Sequence, residues 1–496
     1  MSSSGTDPLV QTADGPVLGR TDAHGVMAFL GIPYAAAPTG PRRFAPPEAP
    51  PRWSAPHDGR SYGPTAPQPT AQGPLAQLLP HVEIPGDGYL NLNVWTADLE
   101  GSRPVMVFIH GGSFTSGSGA IPTYSGAAFA RDGIVLVTIN YRLGVDGFLW
   151  FGEGTPNLGL LDQVAALRWV RDQIASFGGD PANVTVFGES AGAMSVCTLL
   201  AMPSAAGLFR RAIAQSGAAR CVLRPETAAL AAARVAEVLG VSASRRAIAE
   251  VSRAAVLEAQ AALEREVASE VDPARWRELS ANLMPFEPVV DGEILPQAPS
   301  DAIRAGAADG IGLLVGTNAD EANLFFVPSG VVAGAGDADL ARVARSRGYP
   351  PAVLDAYRAA RPTASAGRLV SELMTDGFYV VPALELAADH PHTFVYRFAW
   401  ASPAFGGAMG ACHALELPFV FDTLDDPGYR PLLGSDPPRQ LAAAVHRAWI
   451  DFAATGDPGW PAYSAQRPEA MEFATPAGVA PVHRPQELAA WGASGS

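Results

Sequence analysis

The segment Asn183-Val-Thr-Val-Phe-Gly-Glu-Ser-Ala-Gly-Ala centres Ser190 in a G-x-S-x-G pattern, Gly188 to Gly192, with an apolar stretch before it and a helix-forming stretch after it. A serine on such a sharp strand-to-helix turn sits in strained backbone geometry. Small residues two before and two after it let neighbouring backbone pass without clash. The turn lifts Oγ above the sheet edge, and a helix beginning at Ala191 offers its N–H groups and positive dipole end to a developing anion. The chemistry this implies is nucleophilic attack on an acyl carbon.

A serine at neutral pH is a weak nucleophile and requires a base, an oxyanion site and an acid that orients the base. Upstream, Val107-Phe-Ile-His-Gly-Gly-Ser-Phe ends an apolar run in paired glycines whose N–H groups can point into a cavity. We assign Gly111, Gly112 and Ala191 as backbone donors, each worth about 3 kcal/mol to the transition state. Nine histidines are present, and His413, in Gly410-Ala-Cys-His-Ala-Leu-Glu-Leu-Pro-Phe, lies in a loop after a late strand, where the base should be. His446 falls in a helical stretch and reads as a surface or packing residue, and His110 as a structural one in the oxyanion loop. In the order serine, acid, histidine, the acid is Asp320 or Glu321, both in Gly316-Thr-Asn-Ala-Asp-Glu-Ala after an apolar strand. A helix-capping role would suit Asp320 better than Glu321.

These groups need a scaffold of buried strands. Val105 to Ile109, Ile134 to Ile139, Asn183 to Phe187, Ile311 to Val315 and Thr393 to Phe398 are short, apolar and non-alternating, as expected of strands covered on both faces. Leu160 to Phe177 carries apolar residues at three- and four-residue steps and predicts a helix, as do Thr227 to Leu239 and Arg246 to Ser269. Alternating strands and helices predict an α/β fold, a mostly parallel central sheet with helices on both faces and long loop or helical insertions. Three stretches interrupt the alternation: 61 to 88, rich in Pro, Gln and Gly; 240 to 285, polar and helical; and 325 to 348, rich in Gly and Ala. Each is either a rim or lid of the site or a plain surface connection.

Composition removes other classes. The chain has 34 basic and 49 acidic side chains, a net charge of −15, so a nucleic-acid partner is not expected. Every one of the basic residues is arginine, which rules out a Schiff-base lysine, a Walker A loop and a Ser-x-x-Lys pair. Hydrophobic residues at 48% and charged ones at 17% suffice for a large core. Cys197, Cys221 and Cys412, three at irregular spacing, suggest neither a disulfide framework nor a zinc site. The segment Met1-Ser-Ser-Ser-Gly-Thr-Asp-Pro lacks the basic and apolar regions of a signal peptide, and no apolar run is membrane-spanning in length, so a cytoplasmic protein is the default expectation. Oligomeric state is not legible.

Taken in order, the motifs resemble the type-B carboxylesterase family, the α/β-hydrolases that include bacterial para-nitrobenzyl esterases and the cholinesterases. The resemblance runs from Phe29-Leu-Gly-Ile-Pro-Tyr-Ala, with Arg43-Phe44 and Trp53, through Tyr89-Leu-Asn-Leu-Asn-Val-Trp, His110-Gly-Gly-Ser-Phe and Asn140-Tyr-Arg-Leu-Gly. It continues with Asn157-Leu-Gly-Leu-Leu-Asp-Gln, Phe177-Gly-Gly-Asp-Pro, the serine turn, Gln215-Ser-Gly and Glu287-Pro-Val-Val-Asp-Gly, and ends at His413-Ala-Leu-Glu-Leu-Pro-Phe and Trp449 to Pro458. It implies one bacterial catalytic domain over residues 1–496, a Ser190, Glu321, His413 triad with Glu321 rather than Asp320 as the acid, and Ser216 as a supporting polar residue. One departure stands out. Where the family commonly carries a cysteine that tethers the loop before the Asn-Val-Trp strand, this chain has Gly86-Asp-Gly-Tyr-Leu, which implies a more mobile rim and suits a reducing compartment.

The expected reaction is two-step acyl transfer on small to medium neutral or aromatic esters, without metal or organic cofactor. Phe114, Phe325, Phe326, Phe405 and Phe419 are candidates to line an apolar pocket, with plain core packing as the competing reading. An acidic protein should disfavour anionic esters unless Arg142 or another arginine faces the cleft. Interfacial lipase, amidase or carbamate hydrolase, and non-catalytic binding protein of the same fold are the alternative readings. The lipase would need an apolar lid, for which Leu75-Ala-Gln-Leu-Leu is a short candidate.

Overall fold

The structure is a computed structural model and describes residues 7–70, 72–269, 272–282 and 284–492. Residues 1–6 of the N-terminal segment, residue 71 of the 61 to 88 stretch, residues 270, 271 and 283 of the 240 to 285 stretch, and residues 493–496 lie outside the described residues. The main sheet has eleven strands: β1 (Arg20–Thr21), β2 (Met27–Pro33), β3 (Asn91–Thr96), β4 (Arg103–Ile109), β5 (Val135–Ile139), β6 (Gly179–Glu189), β7 (Arg211–Gln215), β8 (Gly312–Asn318), β9 (Thr393–Phe398), β10 (Glu469–Phe473) and β11 (Gly478–Pro481). Across the sheet the order is β1-β2-β3-β5-β4-β6-β7-β8-β9-β10-β11. From β5 through β10 neighbours run parallel, and both edges are antiparallel.

The central strands are parallel and doubly covered because their side chains are apolar on both faces. Val105, Val107, Ile109, Val135, Val137, Ile139, Val184 and Val186 point to one core, while Met106, Phe108, Leu136 and Phe187, the alternate residues, point to the other. Helix α1 (Leu158–Gln173) packs Leu160, Val164, Leu167 and Val170 into the first core, and α7 (Arg439–Thr455) packs Leu441, Val445, Trp449 and Phe452 into the second. Between them in sequence lie α2 (Ala191–Leu200), α3 (Pro225–Leu239), α4 (Arg253–Ser269), α5 (Asn323–Phe326) and α6 (Ala366–Thr375), which runs on into a π-helical turn, Asp376–Val380. A final helix, α8, spans Pro485–Gly492.

Two expectations are corrected. The single helix over Arg246 to Ser269 is two, Arg245–Ala249 and α4, because Ser244 and Ser252 each turn a hydroxyl onto a backbone N–H three residues on and start a fresh helix. The Gly- and Ala-rich stretch 325 to 348 is largely helical, with segments Val331–Gly334 and Asp337–Ser346. No helix among the described residues is long and apolar enough to cross a membrane.

Candidate active site

Parallel strands deliver all their carboxyl ends to one edge of the sheet, and that is how four distant segments meet. β4 leads into Gly111, β6 into Ser190, β8 into Glu321 and β9 into the loop of His413. Ser190 has φ 57° and ψ −124°, its N–H donates to the Gln215 carbonyl at the end of β7 (2.8 Å), and its own carbonyl accepts from Met194 N–H in the first turn of α2 (2.9 Å). The left-handed serine is thus pinned from both sides. Gly192 is obligatory: a Cβ there would stand 2.0 Å from the Ile109 carbonyl oxygen of β4.

The glycine loop after β4 turns at Gly112, φ 110°, where a Cβ would lie 2.2 Å from the Ser116 carbonyl oxygen. The Gly112 carbonyl accepts from Thr115 and Ser116 N–H (2.9 and 3.0 Å), which closes the turn. Gly111 and Gly112 line a cavity with Ser190, and among the described residues no protein acceptor takes the N–H of Gly111, Gly112 or Ala191. His110 has the structural role read from its position: it is stacked on Tyr141 (4.5 Å) and its Nδ1 bonds the Gly111 carbonyl (2.8 Å). Burial pushes its pKa down to about 4, so it is neutral.

His413 lies between two carboxylates. Nδ1 is 2.7 Å from Glu321 Oε2, and Nε2 is 3.0 Å from Glu189 Oε1. The other oxygen of Glu321 accepts the Asn318 N–H (2.7 Å), and the His413 N–H donates to the Glu321 carbonyl (3.2 Å), so this fully buried carboxylate has a defined rotamer. The Ser190 hydroxyl makes no hydrogen bond among the described residues. Burial acts to lower the His413 pKa, but the Glu189 and Glu321 carboxylates on its two ring nitrogens hold it well above its ordinary value. Its ring is packed between Phe325 (5.5 Å) and Tyr379 (5.0 Å).

Asp320 does not touch His413. Its carboxylate accepts the Ala411 N–H (3.0 Å) and its N–H donates to the Ala411 carbonyl (2.9 Å), so it tethers the histidine loop rather than capping α5. Asn318 adds to that tether, donating to the Cys412 carbonyl and to Glu416 (both 2.7 Å). Ser216 is buried at φ 52° with its Oγ unpartnered and does not bond His413. Of the five phenylalanines, Phe325 lines the cavity of Ser190 and His413, and Phe326 a second one. Phe114 packs on Phe148 and Phe419 between Phe398 and Trp400, both in the core, and Phe405 is exposed, so these three do not line the Ser190 cavity. Arg142 is fully buried against Asp162 (2.7 Å) and away from the cleft.

The cavity that Ser190 and His413 line measures about 290 Å³, and Leu75, Leu79, Pro80 and His81 are part of its wall, which makes the 61 to 88 loop a rim of the candidate site. Sequence reasoning passed over Glu189 as the variable position of the pattern, although a carboxylate at a buried strand end next to a nucleophile was a signal. Tyr379 carried none, because only the π-turn after α6 brings it to His413.

A model of the carboxylesterase family matches residues 6–491. The chain is 40% identical to the para-nitrobenzyl esterase of Bacillus subtilis (strain 168), over 94% of each chain, and 34% identical to the phenmedipham hydrolase of Pseudarthrobacter oxydans, over 94% of this chain and 95% of that one. The crystal structure of a Geobacillus stearothermophilus carboxylesterase superposes with a TM-score of 0.85 at 39% identity, covering 97% of this chain and 99% of that one. That structural match carries the α/β-hydrolase fold, and with similarity running through nearly the whole length of these relatives, the chain belongs to the carboxylesterase family and is a carboxylesterase, a serine hydrolase of carboxylic esters.

Proposed function

We propose that Ser190, His413 and Glu321 form the catalytic triad of a two-step ester hydrolysis, with Gly111, Gly112 and Ala191 as oxyanion donors. The observation that carries the assignment is the buried Glu321 carboxylate held between the Asn318 N–H and His413 Nδ1, which keeps a proton on Nδ1 and makes Nε2 the nitrogen through which the neutral ring accepts a proton. His413 takes the Ser190 proton as Oγ attacks the ester carbonyl. The Gly111, Gly112 and Ala191 amides, which have no protein acceptor among the described residues, receive the oxyanion. His413 then protonates the departing alcohol, and water activated by the same ring releases the acid. Glu189 and Glu321 stabilise the imidazolium formed in each half-reaction.

A cavity of this size with Phe325, Leu324 and Leu417 in its wall suits small to medium neutral or aromatic esters. Leu75 and Leu79 on the rim fall short of an extended apolar lid, which favours esterase over interfacial lipase. Strands of the one main sheet run from residue 20 to residue 481, in keeping with a single catalytic domain, and the three free, buried cysteines suit a cytoplasmic setting.

The test is hydrolysis of para-nitrophenyl esters from acetate to palmitate, with mass analysis of the peptide labelled by an organophosphate. Turnover highest at short chains, a label on Ser190, and no acylation burst in Ser190→Ala are expected. An unchanged rate in Ser190→Ala refutes the mechanism, and a long-chain maximum favours the lipase.

A further inference from the structure

Helix α5 turns consecutive phenylalanines toward different spaces. Phe325 faces the catalytic cavity, whereas Phe326, about 100° further round the helix, lines a second cavity of about 430 Å³, larger than the first. The walls of the second cavity are apolar at Val331, Val343, Val370 and Met374, and Asp339, Arg342 and Arg347 also line it. Arg342 is paired with Asp339 (2.9 Å). Arg347 is not paired: one Nη donates to the Ala281 carbonyl, the Phe378 ring centroid lies 5.9 Å from Cζ, and among the described residues no carboxylate forms an ion pair with it. Burial lowers its pKa, and the groups that oppose that shift are Tyr349, Tyr379 and Cys221, none of them an acid charged at neutral pH.

A half-buried arginine on the wall of a largely apolar cavity, with no carboxylate paired to it among the described residues, is a cation awaiting a counter-ion. It stands behind the aromatic pair that backs the histidine: Phe378 packs edge-on against Tyr379 (4.8 Å), and Tyr379 against His413 (5.0 Å). We propose that this second cavity binds an organic carboxylate with a short apolar body, its charge paired with Arg347 and its hydrocarbon laid against Val343, Val370 and Met374. The source of the ligand rests on the esterase reading, since an ester hydrolase meets this chemistry either as the acid it releases or as a remote carboxylate on the ester.

The test is calorimetric titration of hexanoate, with hexan-1-ol as the neutral control, into protein whose Ser190 has been capped by an organophosphate so that the catalytic cavity is filled. Capping itself is read by mass, so a failure of the esterase reading shows before any titration. One hexanoate is expected to bind, hexan-1-ol much more weakly. Arg347→Gln should weaken hexanoate by about 10- to 100-fold, the loss of a charge-assisted pair. Met374→Trp, which fills the cavity and keeps the charge, should weaken it as well, and circular dichroism and melting establish that both variants fold. Hexanoate affinity equal in the parent protein and in both variants, or hexan-1-ol binding as tightly as hexanoate, overturns the proposal. Uncapped enzyme then identifies the source. A fall in kcat/KM for monomethyl adipate relative to methyl hexanoate in Arg347→Gln means the carboxylate arrives on the ester, and an unchanged ratio alongside lost hexanoate binding means it arrives as free acid.

Discussion

Replacing Glu321 by glutamine tests the proposed triad most sharply, because the structure surrounds that carboxylate with two N–H donors. Oε1 takes the Asn318 N–H and Oε2 the His413 Nδ1–H, both at 2.7 Å, and the side chain is fully buried. An amide has one acceptor oxygen. If it keeps Asn318, its NH₂ faces Nδ1 and forces the histidine into the Nε2–H tautomer, which cannot accept the serine proton. Here that wrong tautomer has a ready acceptor, since Nε2 stands 3.0 Å from Glu189 Oε1. If the amide flips to serve His413 instead, the buried Asn318 N–H loses its partner, at about 1–3 kcal/mol, and the charge-assisted bond that stabilised the imidazolium, about 1.5–3 kcal/mol, is gone in either case. Together these give about 2.5–6 kcal/mol, or roughly a 10²- to 10⁴-fold fall in kcat/KM. The assay is para-nitrophenyl butyrate hydrolysis by Glu321→Gln, with thermal melting to establish the fold. A loss smaller than tenfold in a folded variant means that Glu321 does not set the tautomer of His413, and the assignment fails.

Removing the second carboxylate moves the pH profile. The Glu189 charge favours the protonated ring, and the base must be neutral to act, so Glu189→Gln should shift the acid limb of kcat/KM to lower pH; a profile from pH 5 to 9 that stays put or moves upward contradicts this. At the back of the site, Asp376 begins the π-turn that carries Tyr379, and it is held by Arg484 (2.8 Å) from the segment leading into α8 and by the Tyr357 hydroxyl. Arg484→Gln strips a nearly buried ion pair and should lower stability by about 3 kcal/mol in urea unfolding. A change below about 0.5 kcal/mol would show the pair to be replaceable by water.

The proposed catalytic groups could be picked out because they are tied to local chain geometry. G-x-S-x-G needs a strand before it and a helix after it, and paired glycines after an apolar strand are needed wherever backbone must approach a reacting oxygen; both signals lie within a dozen residues. Glu321 and His413 were placed by the order of strands, since parallel strands end on the same edge. The choice of Glu321 over Asp320 came from the resemblance alone; geometrically it depends on which of two adjacent carboxylates faces β9, which no spacing reveals. The pocket phenylalanines were the weakest reading for the same reason. Phe114, Phe419 and Phe405 are as close in sequence to motif residues as Phe325 is, yet two are core and one is exposed.

By itself, then, the sequence determined the sheet, the turn that carries Ser190 and the glycine loop after β4, because each is written in periodicity and in glycines at positions where a Cβ has no room. Tertiary structure alone decided that Glu189 flanks the histidine, that Tyr379 packs on its ring, that the 61 to 88 loop forms the rim and that Arg347 lines a second cavity with no carboxylate paired to it among the described residues. Those features depend on side chains brought together from segments far apart in the chain. Contacts of that kind follow from how packed layers meet, and no local pattern of residue types encodes them.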